Sequence, residues 1–156
     1  MNNTETTFLR IEHYSDHPEV NHAAQLLVSR LKDQRTIREE AKYIAAAKKL
    51  IASIYNRDEL LFRMSTKKDY YSTAKRKQIW LTQKTLTLFN VMRELEMVEI
   101  VQDAVPSMKM KKDRFGKGLT TVYSATSAFH GLLGNVTTED IVFDTAAPRV
   151  ELKDAE

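Results

Sequence analysis

Cysteine is missing altogether from this 156-residue chain. That excludes a disulfide framework, a thiolate nucleophile and structural zinc sites of the usual cysteine-containing kind. Glycine is nearly as scarce, with four residues, and neither the phosphate loop G-x-x-x-x-G-K-[ST] nor the nucleophile elbow G-x-S-x-G occurs. No run of eighteen apolar residues is present, and the opening MNNTETTFLR lacks the basic, apolar, small-residue order of a secretory leader. The expectation is therefore neither a membrane span nor a signal peptide, and a cytoplasmic protein is the default. No internal repeat or low-complexity tract interrupts the chain.

What is present is 42% hydrophobic and 29% charged, the balance of a soluble domain with a real core. Net charge is only +3, but it is unevenly spread. Residues 1–62 carry nine cations and nine anions; residues 63–133 carry thirteen against six, for +7; residues 134–156 carry two against six, for −4. A cationic middle of this kind points to a polyanionic partner more than an even +3 would. Its densest part is MKMKKDRFGKGLTTVYSAT, with five cations between Met108 and Lys117, glycines at 116 and 118, and then a run of threonine and apolar residues.

Hydrophobic spacing places the elements. Asp16 or His17 can cap a helix entered through Pro18, and Val20, Ala24, Leu27 and Leu31 line one face of it to about Asp33. Thr36-Ile37-Arg38-Glu39 reads as a capping box opening a second helix, Ile37 to Tyr55, with Asn56 as its stop. Between Arg57 and Trp80 the pattern weakens to a turn and one or two short helices. Thr82 can cap a third helix in which Leu86, Phe89, Met92 and Leu95 face inward while Gln83, Lys84, Thr87 and Asn90 face out. Val98 to Val101 and Leu119 to Ala125 read as strands on either side of the basic loop, and Thr126 can cap a last short helix, Ser127 to Leu133, ended by Gly134. The acidic tail holds two short β-like pieces for which the sequence names no partner strand.

A helix with a polar face, a strand, a basic loop with glycines, a returning strand and a short helix: in that order the chain resembles the winged helix-turn-helix family of DNA-binding domains. LTQKTLTLFNVMRELEMVEIV is similar to a recognition helix turning into a wing strand, and KMKKDRFGKGLTTVYSAT to the wing itself. The resemblance runs from about Ile37 to Leu133. Two features depart from it: Glu96-Met97 stand at a turn where many members have glycine, and the wing is long. More faintly, the chain is similar to the N-terminal domains of plasmid or phage replication-associated proteins, which would make it a fragment of something longer.

The resemblance implies a mainly α fold with a small antiparallel β hairpin and an extra N-terminal helix. Residues 1–35 would form an arm and helix, residues 36–133 the winged-helix domain, and residues 134–156 an acidic tail. It also implies a non-enzymatic role in transcription regulation or in replication initiation of a mobile element. The partner would be double-stranded DNA, with no cofactor and a homodimer surface on the N-terminal helices. Gln83, Lys84, Thr87 and Asn90 would then meet base edges in the major groove, where glutamine suits adenine and lysine suits guanine. Lys109, Lys111, Lys112, Arg114 and Lys117 would meet phosphates or the minor groove, Gly116 and Gly118 would let the tip reverse, and Lys75, Arg76 and Lys77 would extend the cationic surface.

Each signal also has a plainer explanation. A basic run is most often a solvated loop, and a polar helix face is what any surface helix shows. His13, His17 and His22 lack metal-ligand spacing, and His130 reads as a partly buried polar residue. Tyr70-Tyr71 lacks the histidine or arginine company that a tyrosine nucleophile needs, and Glu39-Glu40 look like solvent face. The rival class is a helical protein-interaction module whose basic loop meets an acidic partner.

Overall fold

The computed structural model describes residues 8–57, 61–64, 82–102 and 121–144. Helix α1, Pro18–Gln34, starts where Pro18 requires, and His17 Nδ1 accepts from the Glu19 N–H at 3.1 Å as the N-cap. Asp16, the other expected cap, instead accepts a 2.5 Å hydrogen bond from the Tyr14 hydroxyl. Val20, Ala23, Ala24, Leu27, Val28 and Leu31 are buried, a stripe wide enough to pack on two neighbours rather than one.

Helix α2, Glu40–Tyr55, begins three residues later than its apparent capping box. Glu39 adopts φ 58°, ψ 48°, so it lies outside the helix and cannot act as its N3 residue. Its carboxylate turns instead to Lys42 and Lys84. The other end follows the sequence: the Asn56 N–H donates to the Ala52 carbonyl at 3.0 Å and the helix stops there.

Strand β2, Leu61–Arg63, was not legible as a strand, because three residues are too few to establish a period. It is fixed by a partner far along the chain. Helix α3, Gln83–Glu94, opens as expected, with Thr82 Oγ1 accepting from the Thr85 N–H at 3.1 Å. Strands β3, Val98–Gln102, and β4, Val122–Ala125, are antiparallel, with a bulge between Ile100 and Gln102. β4 also pairs with β2, Phe62 opposite Tyr123, so the expected hairpin is part of a three-stranded sheet in the order β2-β4-β3. The fold is accordingly mixed α and β, with helices and small antiparallel sheets, rather than helices plus a lone hairpin.

The turn after α3 needs no glycine, though it has a cost. The Glu96 N–H donates to Arg93 and the Met97 N–H to Met92, at 3.0 and 2.9 Å, a Schellman pattern that demands a left-handed residue between them. Glu96 supplies it at φ 59°. Met97 is buried together with Met92, which gives the motif its apolar clasp. Thr126 then ties this turn to the next helix: its hydroxyl donates to the Glu96 carbonyl at 2.7 Å, its N–H to the Met97 carbonyl at 3.0 Å, and it caps α4, Ser127–Leu132.

The acidic tail does find a partner. Strand β5, Val142–Phe143, pairs antiparallel with β1, His13–Tyr14, just ahead of α1. One core runs through Leu9 and Ile11, α1, α2, α3, Phe62, Tyr123, Phe129, Leu133, Val136 and Ile141, so it draws on all three expected segments. Ser53, buried on α2, accepts from the N–H groups of both Glu12 and His13 at 3.2 Å, fixing the arm to the helix.

Two substitutions check these arguments by urea unfolding. Glu96→Gly should raise stability by about 1 kcal/mol, since only glycine takes the left-handed position without steric cost. Ser53→Ala should lower it by roughly 1 kcal/mol, because two half-buried backbone donors lose their acceptor.

Candidate functional site

Helix α3 is held down on most of its circumference. Thr85, Leu86, Leu88, Phe89, Val91 and Met92 are buried, and the Phe89 ring meets Tyr123 edge-on at 4.9 Å while Phe62 stacks on Tyr123 at 6.0 Å. The rings lock the helix to the middle strand of the sheet, at spacings where aromatic pairs add to plain area burial. Arg57 covers Phe62 at 5.8 Å and donates to the Phe8 and Leu61 carbonyls, closing that side.

What α3 leaves uncovered is a polar stripe with exposed Arg93 at its side. Gln83, Thr87, Asn90 and Glu94 fall within an arc of about 60° at the helical repeat. Gln83 and Glu94 are exposed, whereas Thr87 and Asn90 are half-buried. At its C-terminal end this stripe is tied to α1, because the Gln34 amide donates to Glu94 and Arg30 Nε lies 3.9 Å from the same carboxylate. Arg93 donates to Asn90 Oδ1 at 3.3 Å and rests over the Tyr123 ring at 5.7 Å, so Asn90 is held from the helix's own next turn.

At the N-terminal end the neighbour is the start of α2. Lys84 Nζ lies 3.5 Å from Glu39 Oε1 and 5.3 Å from the centroid of Tyr43, whose hydroxyl accepts from Arg35 at 3.3 Å. Lys42 reaches the same Glu39 carboxylate at 2.8 Å. The hydrogen bond from Lys42, then the charges of Lys42 and Lys84, hold the Glu39 carboxyl below its usual range, and Glu39 in turn raises Lys42. With a depressed carboxyl the clamp is complete above the ordinary glutamate pKa and is lost only as pH falls through the lowered one.

Of the residues expected to read bases, Gln83, Thr87 and Asn90 share the outward stripe, while Lys84 is turned aside towards α2. Lys75, Arg76, Lys77, Lys109, Lys111, Lys112, Arg114 and Lys117 lie outside the described residues, as do Tyr70, Tyr71, Gly116 and Gly118. Arg35, Arg38 and Lys42, exposed where α1 gives way to α2, were missed. Their signal was present in RTIREEAKY, where mixed charge reads as solvent face and says nothing of what lies opposite.

The histidines sit apart. His17 caps α1 with Nε2 3.9 Å from Asp140, His13 meets Asn56 at 3.0 Å, and His130 is exposed with its ring edge on Phe129, not partly buried as expected. Among the described residues no group of three or more His, Asp or Glu could hold a metal ion, and no helix is long and apolar enough to cross a membrane. Compared with family models, curated proteins and solved structures, the chain matches none.

If the aromatic cluster sets the position of α3, Phe89→Ala should cost about 3–5 kcal/mol, the range for emptying a buried ring site. Thermal unfolding would read it, and a loss under 1 kcal/mol would mean that the helix is held elsewhere.

Proposed function

We propose that this chain is a winged-helix domain that binds double-stranded DNA, with α3 in the major groove and the basic segment between β3 and β4 as the wing. The observation that carries the reading is the element order α2, β2, α3, β3, β4 with strands arranged β2-β4-β3. In that order the basic part of the sequence falls between two paired antiparallel strands, β3 and β4, that follow α3. A major groove about 12 Å wide admits one helix, and side chains at its N-terminal end reach base edges.

Gln83, Thr87 and Asn90 supply amide and hydroxyl groups of the right kind, and Lys84, drawn towards Glu39, serves the backbone rather than a base. Affinity comes from charge, since residues 63–133 carry a net +7. The role is recognition rather than catalysis, in transcription regulation or replication initiation. A second reading, a protein-interaction module, is favoured by Ile100 and Val101, 45% and 46% exposed on an outer strand of the three-stranded sheet. Duplex binding by wild-type protein at two salt concentrations separates the two: binding that persists at physiological salt and selects sequences supports the first, and weak binding lost at moderate salt supports the second.

Changing Lys111, Lys112 and Arg114 together to alanine should weaken binding to all duplexes and flatten the log–log salt slope by up to about 2.7, at roughly 0.9 per phosphate. An unchanged slope would remove the wing from the interface. Gln83→Ala, by contrast, should shift the sequences selected from a random duplex pool more than it lowers total affinity. Equal loss on every sequence would strip Gln83 of its reading role.

A further inference from the structure

We propose that Lys42 and Lys84, bridged by Glu39 in the free protein, form a phosphodiester-binding subsite at the edge of the α3 stripe, with Glu39 as an internal anion that a DNA phosphate displaces. The inference rests on the proposed duplex binding and deepens it. Two ammonium groups from different helices converge on one carboxylate, Lys42 at 2.8 Å and Lys84 at 3.5 Å. They enclose a position for one anionic oxygen group, and one carboxylate leaves a unit of positive charge uncompensated there.

The position is prepared on several sides. Tyr43 carries Lys84 across its ring face, and Arg35 holds the Tyr43 hydroxyl. Glu39 reaches between the lysines from a left-handed backbone, a conformation that costs a residue with a Cβ about 1–2 kcal/mol. Its side chain remains 51% exposed, so the carboxylate can swing out to water without unpacking anything. Exposed ion pairs are worth only about 0–1 kcal/mol, so a phosphate delivered by an otherwise docked duplex has little to overcome.

Placement supports the same occupant. Lys84 follows Gln83 in the first turn of α3, and phosphates line the rim of any groove whose floor that turn would face. Exposed Arg35 and Arg38 beside the clamp would add to the field that draws a polyanion in. The sequence alone could not expose this subsite, because Lys42 and Lys84 are far apart in the chain and meet only through Glu39.

The experiment is an anisotropy titration of the full chain with random-sequence duplex across a salt series, for wild type, Glu39→Gln, Glu40→Gln and the pair Lys42→Gln with Lys84→Gln. Glu40 is the control, since it is a neighbouring carboxylate paired with Lys32 at 3.0 Å and outside the clamp. Glu39→Gln should bind about 3- to 10-fold tighter at a nearly unchanged salt slope, because the clamp holds the same phosphate in both proteins and only the competing carboxylate is gone, a held phosphate being worth about 0.9 in slope. The lysine pair should flatten the slope and, combined with Glu39→Gln, abolish the gain. An equal gain from Glu40→Gln, or no change from Glu39→Gln, overturns the subsite while leaving duplex binding intact. A wild type with no duplex affinity at low salt overturns the proposed function itself.

Discussion

The contact on which the rest of the molecule depends is the junction of Phe89, Tyr123 and Phe62. It joins a helix, the middle strand of a sheet and an outer strand in one aromatic cluster, each ring coming from a different part of the chain. With Phe89 pinned there, the rotation of α3 about its own axis is no longer free. Every polar residue on that helix then has a determined outlook, and Thr126, bonded to both Glu96 and Met97, fixes where the sheet ends relative to the same helix.

That rotation has a functional consequence. A helix buried on most of its surface for stability can offer only a thin strip, and the strip contains amide and hydroxyl side chains with charge at its ends. The strip carries Lys84 near one end and the carboxylate Glu94 at the other, a polar surface of the kind the proposed duplex recognition needs, whereas association with an apolar partner rewards broad desolvated area. Among the described residues the large exposed apolar side chains are Leu26 on α1, Ile100 and Val101 on β3, and Val142 and Phe143 on β5, none of them on α3.

Local chemistry made much of the fold legible. Pro18, Thr82, Asn56 and Thr126 act on their immediate neighbours, so the starts of α1, α3 and α4 and the stop of α2 emerged from sequence to within a residue or so, whereas the start of α2 lay three residues further on. What escaped was decided at a distance. β2 is a strand because β4 lies beside it, and β1 and β5 pair although 130 positions separate His13 from its partner Phe143, with no turn to link them. Glu39 looked like half of a capping box, but its backbone is left-handed and its carboxylate pairs with two lysines, one of them on another helix. The candidate site followed the same rule: the outward set Gln83, Thr87 and Asn90 is a matter of helical period, whereas the diversion of Lys84 towards α2 needed the tertiary structure to be seen.

The central claim is that the outward stripe of α3, flanked by the junction of α1 and α2, faces nucleic acid. Backbone amide chemical-shift mapping during titration with a short duplex tests it most directly. The account predicts that the largest shifts fall on Gln83, Lys84, Thr87 and Asn90 and on residues 35–43, with β1 and β5 unmoved. Shifts confined to β3 or β5, or none at all at saturating duplex, would contradict it.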